Sequence, residues 1–276
     1  MAQKRRKTKK DPWQYGVIAI AVVVAAVCLL SLLLLETEEA PPPTEKPTIP
    51  TTEPPPTVPQ SIFHLSDFAE NAGFLSCIAT DSMIGIDVSH HQGDIDWQKV
   101  KESGITFVMV RLGYRGIGDG ILYTDRYAAE NLIGAREAGL MVGAYFYSQA
   151  TTAAEAREEA AYALKILGDF RLDLPLSLDW EIARRTENVD GDTATELTQA
   201  FCEMVRVAGY EPMIYFNSDQ ATNLLDMNRL TQYIWWLAMY THKENFPCHF
   251  DVWQYTDSGS VPGISGKVDL NVWILS

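Results

Sequence analysis

Cysteine is scarce in this chain of 276 residues, and so is positive charge outside one short stretch. Of the four cysteines, Cys28 lies in an apolar run, which leaves Cys77, Cys202 and Cys248. Three is odd, so at most one bridge can form, and the spacings match no zinc pattern. A disulfide framework therefore does not organise the fold. Lys and Arg number 22 against 36 Asp and Glu. Six of those cations, with one Asp, fall in residues 1–15, so the remainder carries 16 basic and 35 acidic side chains, a balance of −19. Such a surface is a poor match for DNA, RNA or anionic lipid. No glycine-rich phosphate loop follows the first strand, and no nucleophile elbow or cysteine beside a general base is present. His90 and His91 have no third histidine nearby. Adjacent residues of an extended segment point to opposite sides, so a metal site with Asp87 is not expected there, and neither is a cofactor. Rim histidines satisfied by a loop are the simpler reading.

What the chain does have is one long apolar run. Residues 16–35 are uncharged and almost wholly apolar, and twenty residues at a rise of 1.5 Å span about 30 Å, the thickness of a bilayer's hydrocarbon core. Lys4, Arg5, Arg6, Lys7, Lys9 and Lys10 precede it, and Glu36, Glu38 and Glu39 follow. The expectation is a cytoplasmic basic segment at 1–15, a single transmembrane helix at 16–35 and everything after it outside the cell. A cleaved signal peptide is the rival; its apolar region is shorter and ends in a small-x-small site that is absent here. Residues 36–60 hold nine prolines with Thr and Glu, a composition that gives an extended spacer reaching up to roughly 80 Å. Residues 61–82 carry Ile62, Phe63, Leu65, Phe68, Phe74 and Leu75, which predicts a short amphipathic helix docked on the main domain.

From residue 83 to 276 short apolar strands alternate with helices. Strands are expected at 84–88, 106–112, 141–147, 174–180, 212–216, 234–240, 251–255 and 268–273. Helices are expected at 96–103, 125–138, 152–167, 193–208 and 218–225, several ending at glycine. This is an α/β pattern, a TIM-like barrel of about eight strands and five helices whose last turns lack helices. An open doubly wound sheet is the alternative.

The apolar run Leu174–Leu178 ends in Asp179-Trp180-Glu181. On a strand, residues i and i+2 share a face about 6.5 Å apart, so both carboxyls enter one space and crowding raises the pKa of one. A carboxylic acid still protonated near neutrality is what glycosidic cleavage requires. If the sheet is a barrel, the carboxyl ends of its strands bring Asp87, Arg111, Tyr145, Tyr147, Tyr215, Trp236, Tyr240, Trp253, Gln254 and Asp269 to the same mouth. Four carboxyls ringed by aromatic side chains are suited to sugars, whose C–H faces stack on rings while their hydroxyls need polar partners.

The segments Ile84-Gly85-Ile86-Asp87-Val88-Ser89-His90-His91-Gln92-Gly93 with Ile95-Asp96-Trp97, Gly143–Tyr147, Leu178–Glu181, Trp253-Gln254-Tyr255 and Gly266–Asn271 resemble the family 25 glycoside hydrolases, the Chalaropsis-type lysozymes or N-acetylmuramidases. The resemblance runs from about Ile84 to the end, and leaves out the anchor, the stalk and 61–82. It implies an irregular barrel, peptidoglycan glycan strands as substrate, and cleavage of the β-1,4 bond between N-acetylmuramic acid and N-acetylglucosamine. By it, Glu181 is the general acid, Asp179 its companion in the Asp-x-Glu motif, and Asp87 and Asp269 the flanking acids; the geometric expectation is a protonated Glu181 beside an ionised Asp179. A non-catalytic glycan-binding or scaffold module on the same fold is the alternative function.

Overall fold

A computed structural model of the chain describes residues 58–240 and 246–275. The basic segment, the apolar span and the proline-rich stretch up to residue 57 lie outside the described residues. Among the described residues no helix is long and apolar enough to cross a membrane.

The strands are β1 (Phe68–Asn71), β2 (Phe74–Cys77), β3 (Ser82–Val88), β4 (Phe107–Arg115), β5 (Leu122–Thr124), β6 (Met141–Ser148), β7 (Leu176–Trp180), β8 (Pro212–Asn217), β9 (Ile234–Ala238), β10 (Val252–Gly259) and β11 (Val268–Ile274). The α-helices are α1 (Trp97–Glu102), α2 (Ala128–Glu137), α3 (Ala153–Leu167), α4 (Gly191–Val207) and α5 (Ser218–Asn223). Neighbours β3, β4, β6, β7, β8, β9 and β10 pair in parallel, and β11 closes the ring by running antiparallel to both β10 and β3. The eight expected strands thus form a closed barrel with five helices, not an open sheet.

Local signals explain the helix starts. Asp96, Thr152 and Asp190 cap α1, α3 and α4 by accepting from the amides of Lys99, Glu155 and Thr193. Gly139 and Gly209, at φ of +79° and +86°, follow α2 and α4 and turn the chain toward the next strand.

Side chains alternate across the barrel wall. Ile86, Val108, Phe146, Leu178 and Ile214 face the helices in the outer core. Phe107, Met109, Met213, Trp236, Val252 and Trp273 fill the inside. This filling depends on small neighbours: a Cβ at Gly85 would overlap the Phe107 ring, and one at Gly143 would overlap the Met109 sulfur. The interior is a packed floor, and the polar mouth sits above it.

Two elements differ from expectation. Residues 61–82 form no α-helix: β1 and β2 make an antiparallel hairpin with the turn at Ala72 and Gly73. The docking is as expected. Phe68 packs edge-on against Trp253 with ring centres 5.0 Å apart, and also meets Phe63, Phe246 and Phe250. The Leu75 amide donates to the Tyr255 hydroxyl at 3.2 Å. The other difference is β5, which pairs antiparallel with the far end of β4 to form an arm in which Tyr114 and Tyr123 stack at 5.2 Å.

Because the Phe68 ring is 9% exposed and wedged among four aromatics, Phe68→Ala should cost about 3 kcal/mol. Denaturant unfolding of the full chain checks it; a loss below about 1 kcal/mol would mean that the hairpin is only loosely attached.

Candidate active site

Asp87 is the penultimate residue of β3, Asp179 the penultimate residue of β7, and Glu181 the first residue beyond β7. Asp269 reaches the same mouth by another route. Because β11 runs antiparallel, Asp269 stands near its amino end, directly opposite Asp87 in the β3–β11 register. The expectation that every site residue sits at a carboxyl end is corrected for this one strand.

Burial sets the electrostatics. Asp87 and Asp179 are 5% and 8% exposed, and desolvation is the first cause of the raised pKa of all four acids. Asp269 is pushed up to about 9, first by burial and then by Asp87, with which it shares a hydrogen bond. Asp87 is raised less freely, because the side chains of Asn271 and Gln254 each donate to its Oδ2 at 2.8 Å. Asp179 lies well above the usual carboxylate range through burial, with Glu181 and Asp87 adding repulsion. Its Oδ1 has no hydrogen-bond partner among the described residues. Glu181 is also raised by burial, against a hydrogen bond from Tyr147 that favours its charged form. The mouth therefore favours the protonated over the ionised form of its carboxyls, Asp179 as well as Glu181. The rise at Asp179 runs against the expectation that it is ionised, because burial outweighs the pull of Arg111.

The structure brings most of the expected ring together. Tyr145, Tyr147 and Tyr215 are pushed above the usual phenol range, chiefly by burial and next by the nearby acids, so each keeps its O–H. The hydroxyls of Tyr215 and Tyr240 donate to Gln254 Oε1 at 2.9 and 2.6 Å, and Gln254 passes the chain of bonds to Asp87. Arg111 is near enough to oppose the rise at Asp87 and Asp179 but is already committed: Asp125 receives its Nε at 2.9 Å and Nη2 at 2.8 Å.

Two tryptophans are not at the mouth. Trp236 is fully buried beneath it, 5.0 Å from the Tyr215 ring, and its indole N–H donates to Asn271 Oδ1 at 2.8 Å. It supports Asp87 through Asn271 and offers no face to a sugar. Trp253 points outward to the hairpin, with its N–H on the Met239 carbonyl. That follows from parity, since Gln254 next to it faces inward.

The histidines also differ from expectation. Residues 90–92 form a 3-10 turn, not an extended segment, so the His90 and His91 rings lie side by side at 4.2 Å. His90 Nδ1 is 2.9 Å from Asp125 Oδ2 and 2.6 Å from Arg111 Nη2. Sequence reasoning missed Asp125, because it falls at the first residue of the helix expected at 125–138, where an acid simply suits the helix dipole. A cleft of about 470 Å³ lined by His90, His91, Arg111, Tyr114, Ile117 and Tyr147 adjoins the acids. A larger groove of about 620 Å³ between α2 and α3 holds none of the four acids.

A barrel mouth with two buried and two half-buried carboxyls, phenol hydroxyls and an adjoining cleft defines an acid-catalyst class of site, the kind that cleaves glycosidic bonds. The comparisons agree. Residues 86–264 match the glycosyl hydrolases family 25, and the chain belongs to that family. It is similar to the autolytic lysozyme of Clostridium acetobutylicum, at 30% identity over 190 residues, 68% of this chain and 55% of the relative. Among solved structures it is similar to the modular autolysin LytC of Streptococcus pneumoniae in complex with a synthetic peptidoglycan ligand, at 29% identity and a TM-score of 0.58, covering 70% of this chain and 46% of LytC. The family 25 glycosyl hydrolase of Bacillus anthracis shares the fold at 22% identity and a TM-score of 0.59, covering 70% of this chain and 89% of that one. The chain thus spans about half the length of the C. acetobutylicum lysozyme and of LytC.

The shift at Asp269 has a consequence for stability. The folded chain holds this proton more tightly than the unfolded one, so the group stabilises the fold fully below its ordinary value of 3.8 and the effect is lost as pH rises to about 9. Asp269→Asn, which removes the ionisation, should melt above the parent at pH 8, with the difference shrinking toward pH 4. Calorimetry across that range checks it, and a parent at least as stable as the variant at pH 8 would contradict the assignment.

Proposed function

We propose that this chain is a muramidase that cleaves the β-1,4 bond between N-acetylmuramic acid and N-acetylglucosamine in peptidoglycan. The observation that carries the reading is the pairing at the end of β7: a buried Asp179 with an unpartnered oxygen beside a Glu181 whose pKa burial raises. Family membership and the likeness to a lysozyme and to an autolysin with a peptidoglycan ligand support it.

In this mechanism Glu181 gives its proton to the leaving oxygen as the bond breaks. Positive charge builds on the sugar ring. The substrate's 2-acetamido oxygen closes on the anomeric carbon as the glycosidic bond breaks, and its N–H donates to Asp179 Oδ1, which lacks a partner among the described residues; water then attacks the anomeric carbon, gives a proton to Glu181 and reopens the acetamido ring. A donor there favours the ionised form and opposes the burial that raises the Asp179 pKa. Both carboxyls lie on one side of the ring, which favours retained configuration. Tyr145 supplies a hydroxyl donor, and Tyr215 and Tyr240, whose protons go to Gln254, present oxygens that accept from sugar hydroxyls. The stretch 16–35 would hold the enzyme in the cell membrane as a single pass, amino terminus inside, with the proline-rich stalk 36–60 and segment 61–82 carrying the catalytic domain 83–276 into the wall.

Full-length protein should release new reducing ends from purified peptidoglycan, and Glu181→Gln should lower that rate about 10²-fold or more while glycan binding persists. Replacing the acetamido oxygen of a substrate by sulfur should slow turnover strongly. Parent protein that binds glycan and releases no ends would favour a non-catalytic module.

A further inference from the structure

The acid at position 181 is not held by the sheet. The last β6–β7 register pair is Ser148 with Trp180, and the last β7–β8 pair is Asp179 with Tyr215. Glu181 therefore lies one residue past the ladder, where strand pairing no longer fixes its backbone. Two side chains from different segments take over. Gln149 Nε2 donates to the Glu181 carbonyl at 2.9 Å, and Thr186 Oγ1 donates to the same oxygen at 2.7 Å. The preceding carbonyl, that of Trp180, accepts from Gln220 at 2.8 Å.

Both donors are themselves fixed. Gln149 is fully buried, its Nε2 also reaches the Ser148 carbonyl at 3.0 Å, and its own carbonyl accepts from Arg185 at 3.1 Å. Arg185 is ion-paired with Glu155, which in turn accepts from the Thr151 amide at 2.8 Å. Thr186 is 1% exposed, and its hydroxyl accepts from the Ala183 amide at 2.8 Å, which ties the turn after Glu181 back on itself. A buried amide and a buried hydroxyl converging on one carbonyl are more than a loop needs for solubility, and that carbonyl belongs to the residue whose carboxyl must meet the leaving oxygen.

We propose that Gln149 and Thr186 are positioning residues that set the reach of the Glu181 carboxyl. The proposal rests on Glu181 being the general acid of the muramidase reading. A misplacement of about 1 Å in such a group costs on the order of 10²-fold in rate, so freeing either bond is expected to act on turnover more than on binding.

The test uses the full chain with Thr186→Val, Gln149→Leu and the conservative Thr186→Ser. Each of the first two should lower kcat about tenfold or more with KM within about twofold, and Thr186→Ser should restore most of the rate. A readout independent of turnover is the carboxyl ¹³C titration of Glu181, assigned by its loss in Glu181→Gln. In Thr186→Val and Gln149→Leu the carboxyl should move toward solvent and its midpoint should fall toward the ordinary glutamate value. The two substitutions sit on different segments, so failure of one variant to fold leaves the other to decide. Folded variants with unchanged midpoint and unchanged kcat would overturn the proposal. Parent protein that leaves peptidoglycan uncut would overturn the muramidase reading instead, and the titration would still decide the clamp.

Discussion

The barrel closes by setting two carboxyl groups face to face. β11 joins β3 in antiparallel register, and the pair nearest the mouth is Asp269 with Asp87. Two acids crowded in that position resist ionising together, and Asp269 is pushed up to about 9, so ring closure favours a proton there. The surroundings follow from this. Asp87 is served by the neutral amides of Gln254 and Asn271, not by a cation, and those amides are oriented by the hydroxyls of Tyr215 and Tyr240 and the indole of Trp236. Arg111 is spent on Asp125. A free cation among the acids would have drawn off the protons that acid catalysis needs; one held by its own counter-ion moderates the field without discharging it.

The same closure explains where sequence reasoning worked and where it could not. Apolar runs of five to eight residues between caps and glycines mark strands clearly, because each is covered by helices outside and packed side chains inside. Direction is different: alternation looks alike read either way, so nothing in residues 268–273 told that β11 runs backward. Asp269 was still placed at the mouth, since the amino end of an antiparallel strand meets the carboxyl ends of its neighbours. The hairpin at 68–77 falls where a helix is expected, because the apolar residues at 62, 63, 65, 68, 74 and 75 are too few and too unevenly spaced to separate the two periods. Trp253 was recoverable. Had Gln254 been assigned inward, parity alone would have sent its neighbour out.

Asp179 and Glu181 differ in what holds them, and the difference matters more than their shared chemistry. Asp179 is inside the ladder, paired in register with Tyr147 on one side and Tyr215 on the other, so its backbone is as stiff as the barrel. Glu181 stands outside it, and its place is fixed by Gln149 and Thr186. Those donors belong to a wider support. Next to Gln149, the Ser148 hydroxyl donates to Glu159 at 2.5 Å, and Glu159 is bonded to Arg115 Nε at 2.7 Å. Arg115 also donates to the Gly120 carbonyl at 2.8 Å, in the turn of the β4–β5 arm whose Tyr114 and Ile117 line the cleft. Glu159 is fully buried, and burial pushes its pKa up to about 7 even with Arg115 against it. A buried ion pair of this kind adds little net stability, but breaking it leaves an uncompensated charge, so it makes the arrangement around it specific. The cleft wall and Glu181 are thereby tied to one support. Changes in the loops can alter the acid's reach without touching either carboxyl of the Asp-x-Glu pair.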